Sequence, residues 1–177
     1  MLTVHHLNKS RSQRILWALE ELGVPYNIVR YERQKNMLAP DELKKIHPLG
    51  KSPVVEDNGF ILAESGAILE YLQETYDTEQ RFKPHDAQQK IDYRFWLHYA
   101  EGSLMPLLLM KLVVGQLGKP PVPFGVRSVG KLIGKGIENA FLNKQLETHA
   151  RFIEGELAHR PWFAGDELSM ADVQMSF

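Results

Sequence analysis

Three short stretches carry side chains whose types and spacing could do chemistry: Ser10, Arg11, Ser12 and Arg14 in NKSRSQR, Lys51, Ser52 and Pro53 in GKSPVV, and Glu64 and Ser65 in FILAESGAI. A proline at the head of a strand is tolerated because no ladder N–H is missed there. In the cis form Pro53 would also turn the backbone of Ser52 outward, leaving its N–H and C=O to pair with an extended peptide ligand. Glu64 and Ser65 stand where a strand gives way to a helix. They could be helix-start groups satisfying free N–H donors, or they could hold an α-amino acid. In the second case a hydroxyl and helix amides take the carboxylate, and Glu64 pairs with the ammonium. Ser12 reads as a helix cap. Ser10 lies just ahead of the helix and could donate to an anion that the helix dipole and a nearby arginine stabilise.

These groups need elements to position them. LTVHHL (2–7) reads as a strand, and SQRILWALEELG (12–23) as a helix with Ile15, Leu16, Leu19 and Leu22 on one stripe and Gly23 ending it. YNIVRYE (26–32) is a second strand, and the dozen helical residues between suit a right-handed crossover joining parallel neighbours. PDELKKI (40–46) is a short helix, and PVVED and FILA form a hairpin around Asn58-Gly59. A helix from about Glu64 to Tyr76 completes the order βαβαββα. The composition changes at DTEQRFKPHD, after which long helices at about 87–117 and 126–158 flank the loop GKPPVPFG. Ser169-Met170-Ala171-Asp172 is a capping box announcing one more helix.

Composition narrows the chemistry. A net charge of -1 in 177 residues gives no electrostatic reason to expect nucleic acid or an anionic membrane. The absence of cysteine excludes disulfides, thiolate metal sites and a cysteine nucleophile, so any thiol must arrive with a ligand. The seven histidines form no ligand grouping, His5 and His6 facing opposite ways on a strand, and no metal is expected. No apolar leader opens the chain, and the apolar run at 104–114 falls short of the roughly 18 residues of a membrane span. Cytoplasm is the expected compartment.

Together these residues resemble the glutathione transferases, over nearly the whole chain. The most specific part is HPLGKSPVVEDNGFILAESGAI, similar to that family's proline-glycine turn, cis-proline opening the third strand, and Glu/Gln-Ser pair at the third helix. The SMAD box resembles the start of the family's sixth helix, and KKIHPLGKSP with ILAESGAI is most similar to a group found in bacteria and fungi. The resemblance implies an α/β thioredoxin-like N-terminal domain (1–78), a linker (79–86) and an all-α C-terminal domain (87–177). The last helix is announced and then stops, so the chain reads as truncated at its C-terminus.

Carried over by residue, the resemblance implies that Ser52, before Pro53, pairs with the cysteinyl backbone of glutathione, that Glu64 and Ser65 hold the γ-glutamyl group, and that Lys51 meets the glycyl carboxylate. Ser10, four residues before Arg14, matches the activating hydroxyl of serine-type members, with Arg11 as support; the tyrosine of tyrosine-type members is replaced by His6. Tyr93, Trp96 and Leu97 share one helix with Tyr99 and Glu101; most of this group read as core, and these three are the candidates to wall an apolar pocket for the second substrate. The implied activity is conjugation of the glutathione thiolate to small apolar electrophiles in detoxification, with peroxidase activity toward hydroperoxides as an addition and a non-catalytic glutathione- or ligand-binding protein as the alternative. Glutathione is then a co-substrate with no tightly bound cofactor, and the partner is a second copy in a homodimer, with no nucleic acid and no membrane span. A free thiol has a pKa of about 8.5, so lowering it by about two units, at about 1.4 kcal/mol each, makes thiolate the majority form at neutral pH.

Overall fold

The strand and helix periods seen in the sequence resolve, in a computed structural model that describes residues 1–176, into four strands and eight α-helices. The chain divides into two compact units: residues 1–97 together with the stretch from Trp162 onward, and residues 98–161. This division differs from the expected break near residue 87. The first turns of the fourth helix and the capping-box helix both join the first unit.

In the first unit β1 (Leu2–Leu7), α1 (Ser12–Leu22) and β2 (Tyr26–Tyr31) form the expected crossover, with β1 and β2 parallel and Leu2 opposite Tyr26. Gly23 ends α1 in the left-handed region at φ 67°, its N–H donating to Glu20 O. A short α2 (Glu42–Ile46) precedes β3 (Val54–Asp57) and β4 (Phe60–Ala63), an antiparallel hairpin turning at Asn58-Gly59, both with positive φ. That is the geometry a two-residue hairpin loop requires. β3 also pairs antiparallel with β1, giving a mixed sheet of order β2-β1-β3-β4.

α3 (Ser65–Tyr76), α4 (Ala87–Tyr99) and α8 (Met170–Met175) follow. The core of this unit is Val4, Ile15, Leu19, Val54, Val55, Ile68, Leu69 and Leu72, all inaccessible to solvent. α8 packs with α1 and α3, burying Met170, Ala171 and Val173. Its capping box forms as expected: the Asp172 carboxylate accepts from Ser169 N–H at 2.8 Å and Oγ at 2.7 Å, and also from Phe163 N–H at 2.7 Å.

The second unit holds α5 (Met105–Val114), α6 (Arg127–Ile137) and α7 (Asn143–Leu157). The two long helices expected here are each interrupted by a π-helical turn, at Ala100–Leu104 and Glu138–Leu142. Single π-helical turns of this kind are rare and occur mostly inside α-helices. α6 approaches the end of the α5 hairpin so closely that a Cβ on Gly130 would lie 2.1 Å from Leu117 O.

Candidate active site

The register of the hairpin decides where the candidate groups meet. Val54 of β3 pairs with Ala63 of β4, so Pro53 and Glu64 follow the last pair at the same end of the ladder. His5 of β1 pairs with Val54, which brings Leu7 and the loop after it to that same end. Ser10, Ser52, Glu64 and Ser65 therefore gather at one edge of the sheet although up to 55 positions of sequence separate them.

The Ser52–Pro53 peptide is cis, and Ser52 lies outside the strand ladder. The Ser52 hydroxyl is tied inward: it donates to His5 O at 2.9 Å and accepts Leu7 N–H at 3.2 Å. Ser10 Oγ donates to Leu7 O at 2.7 Å and lies 3.4 Å from Ser52 Oγ. The hydroxyl matched to thiol activation thus stands beside the residue matched to holding the cysteinyl backbone. Arg11, Lys51 and Ser52 line a cleft of about 480 Å³ together with Arg33, Met37 and Lys44.

Glu64 is exposed and has φ 71° and ψ 119°, a conformation L residues rarely adopt. Strain of this kind, held by surrounding structure, accumulates at functional sites. The helix-start reading of Glu64 and Ser65 loses its support, because α3 has no side-chain cap bond. Ser65 Oγ instead accepts from the Arg14 guanidinium at 3.4 Å, and Arg14 Nε donates to Ser176 O at 2.8 Å. Arg14 is buried, 3% exposed, so its charge acts in a low-dielectric setting at the foot of Ser65. Asp57, also buried, accepts the phenols of Tyr71 at 2.9 Å and Tyr76 at 2.5 Å, pinning α3 to the hairpin that precedes it.

One reading of the sequence is corrected here. Ser12 is no cap: Arg11 occupies the N-cap position without a side-chain bond, and Ser12 Oγ lies 2.8 Å from His6 Nδ1. Tyr93, Trp96 and Leu97 take the core reading. They are 3%, 1% and 6% exposed, with Trp96 packed on Phe163 at 4.5 Å between ring centroids. Aromatic residues at helical spacing are core here, and burial drives the Tyr93 phenol well above the usual range.

His5 and His6 are both engaged within the protein. His5, buried, bonds Tyr31 through Nδ1 at 3.0 Å, and burial lowers its pKa against the opposing pull of Glu56. Burial and the charge of Arg30 lower His6, with Glu32 opposing.

The N-terminal part of the chain, residues 1–74, matches the family model described as Glutathione S-transferase, N-terminal domain. Glutathione S-transferase 3 of Schizosaccharomyces pombe is 38% identical over all 177 residues, which span 72% of that relative. This chain belongs to the glutathione S-transferase family. Glutathione S-transferase 1 of Saccharomyces cerevisiae is 36% identical over the whole chain and 79% of its own length. Among solved structures, a glutathione S-transferase from Actinobacillus pleuropneumoniae superposes with a TM-score of 0.78 at 33% identity, covering all of this chain and 75% of that one. The thioredoxin-like N-terminal domain and helical remainder of glutathione S-transferases are therefore the architecture seen here.

Proposed function

We propose that Ser10 activates the thiol of glutathione at the sheet edge where Ser52, cis-Pro53, Glu64 and Ser65 converge. Glutathione transfer itself follows from membership of the family. The observation that carries the residue reading is the 3.4 Å approach of Ser10 Oγ to Ser52 Oγ. Ser52 holds the cysteinyl backbone, Glu64 the γ-glutamyl ammonium, Ser65 and the N-terminus of α3 its carboxylate, and Lys51 the glycyl carboxylate. A hydrogen bond from Ser10 to sulfur, with the charge of Arg11 at the cleft wall, stabilises thiolate over thiol.

The thiolate then attacks an apolar carbon electrophile, forming the S–C bond as the leaving group departs. The same thiolate can attack a hydroperoxide oxygen, with a second glutathione completing reduction to the alcohol and the disulfide. Glutathione acts as co-substrate, with no tightly bound cofactor. The enzyme works in detoxification, in the cytoplasm and as a homodimer. The run Ala87–Val114 has the length and apolarity of a membrane span. We read it as a protein helix, because it carries Glu101 at its middle and its first half supplies Tyr93, Trp96 and Leu97 to a packed core.

Turnover of a chromogenic aromatic electrophile, compared between wild type and Ser10→Ala, tests the assignment. The variant is expected to lose about a hundredfold in kcat/KM near neutral pH, the equivalent of about two units of thiol pKa. Unchanged turnover rejects Ser10 as the activator.

A further inference from the structure

Ser10 Oγ is the outer end of a series of closely spaced polar groups. It lies 2.7 Å from Ser12 Oγ, and Ser12 Oγ lies 2.8 Å from Nδ1 of His6. Ser12 is wholly buried and His6 half-buried, so the middle link is shielded from solvent. A serine hydroxyl has one proton and can donate in only one direction at a time. With Nδ1 of a neutral His6 accepting, Ser12 donates to the ring, and Ser10 is left to donate to Ser12 or to Leu7 O. With a proton on Nδ1 the ring donates to Ser12, Ser12 donates to Ser10, and the Ser10 proton is free to turn toward a ligand. The two arrangements keep the same links and reverse their direction.

We propose that His6 takes up the glutathione thiol proton through Ser12 and Ser10, making His6 and Ser12 positioning residues for the activating hydroxyl. This rests on the assignment of Ser10 above. In the step the S–H bond breaks and its proton passes to Ser10 Oγ, Ser10 passes its own proton to Ser12 Oγ, and Ser12 passes its proton to His6 Nδ1. The S–H electron pair stays on sulfur, one N–H bond replaces one S–H bond, and no oxidant or reductant takes part. The product is a thiolate paired with an imidazolium, with Ser10 now donating to sulfur.

The surroundings of His6 suit an acceptor. Arg30 faces it across the β1–β2 ladder, Glu32 lies just beyond, and α1 presents the hydroxyl of Ser12. Burial and the charge of Arg30 lower the pKa of the ring and so favour its neutral form, the state that can accept a proton; the thiolate created by the transfer then offsets the cost of charging it.

Wild-type enzyme tests this first. Glutathione is titrated near neutral pH in two buffers of different ionisation enthalpy while thiolate absorbance is followed in the ultraviolet. Thiolate should appear with the same heat in both buffers, because its proton stays on His6. Heats that differ by one proton per thiolate formed overturn the relay. No thiolate absorbance at all overturns the Ser10 assignment, and the relay with it.

Two variants sharpen the result. His6→Gln can still bond Ser12 but cannot be charged, and Ser12→Ala cuts the chain. Each should raise the pKa of bound glutathione by about one unit, a roughly tenfold loss of thiolate below it, and the double variant should shift it no further. Affinity for S-methylglutathione, which has no thiol proton, should stay at the wild-type value. A wild-type thiol pKa in His6→Gln sinks the relay while leaving Ser10→Ala to decide the assignment of Ser10.

Discussion

The two compact units spend their apolar residues differently. The first encloses a sheet and its helices around side chains with no solvent access, among them Ile15, Leu19, Leu69 and Leu72. In the second, α6 turns Val129, Leu132 and Ile133 outward at 57%, 72% and 54% exposure, while small Gly130 and Gly134 face α5 and the residues after it. Apolar area counts toward stability only where it leaves water. The first unit therefore supplies the larger share of this chain's folding energy, and the candidate site is built wholly within that unit.

The largest expected effect lies at Trp96. Trp96→Ala removes a fully buried indole from against Phe163 and should cost about 3–5 kcal/mol in urea unfolding. A variant of unaltered stability whose only change is a raised KM for the electrophile would return Trp96 to the pocket wall and weaken the contrast between the units.

Next comes the polar pin of the first unit. Tyr76→Phe leaves the buried Asp57 with one donor fewer and should cost about 1–2 kcal/mol at neutral pH. Its pH dependence has a definite sign. The Asp57 carboxylate, with burial, pushes the Tyr76 phenol up to about 12 from its ordinary 10, so folding favours the protonated phenol. That stabilisation is complete below pH 10 in wild type and is lost as the pH rises from there through about 12. Tyr76→Phe should remove this share of the alkaline loss in a stability–pH curve, and an unchanged curve would disconnect Tyr76 from it.

Glu64 is the point where the well-packed unit tolerates strain. Glu64→Gly relieves the positive φ but frees the unfolded chain, so the net gain should be under about 1 kcal/mol. Glutathione affinity should fall by about tenfold, the size of one charge-assisted hydrogen bond to the γ-glutamyl ammonium. Weaker binding with lower stability would show that Glu64 serves the fold rather than the ligand.

The sequence displayed this arrangement unevenly. The strands, α1 and the hairpin are local in origin: stripes at 3.6 residues, a Gly C-cap, an Asn-Gly turn and a capping box each act over a few positions, and each formed where it was read. Ser52, Pro53, Glu64 and Ser65 could be placed together because one hairpin carries them. Ser12 could not be read, since a hydroxyl at a helix start looks like a cap until the strand behind it is known to present His6. Arg14 was visible as a polar group near a helix start and as a marker for Ser10, but not as a partner of Ser65. Its bonds to Ser65 and Ser176 span 51 and 162 positions, and no local pattern encodes them. The membership of α8 in the first unit was hidden for the same reason.

The smallest effect, at Leu132, is the sharpest test of the contrast when set beside a buried leucine of the first unit. Leu69 and Leu132 are the same residue type on helices of the two units, one at 0% and the other at 72% exposure. Truncation to alanine removes the same atoms from each. At Leu69 it opens a cavity in close-packed surroundings, and a loss of about 2–5 kcal/mol is expected. At Leu132 the removed atoms already faced water in the folded chain as they do in the unfolded one, so the change should stay within about 0.5 kcal/mol. Helix propensity does not disturb the comparison, because alanine favours a helix slightly more than leucine at both positions. Equal losses at the two sites, measured by urea unfolding, would mean that the outward face of α6 is covered in solution and that the second unit is as well packed as the first.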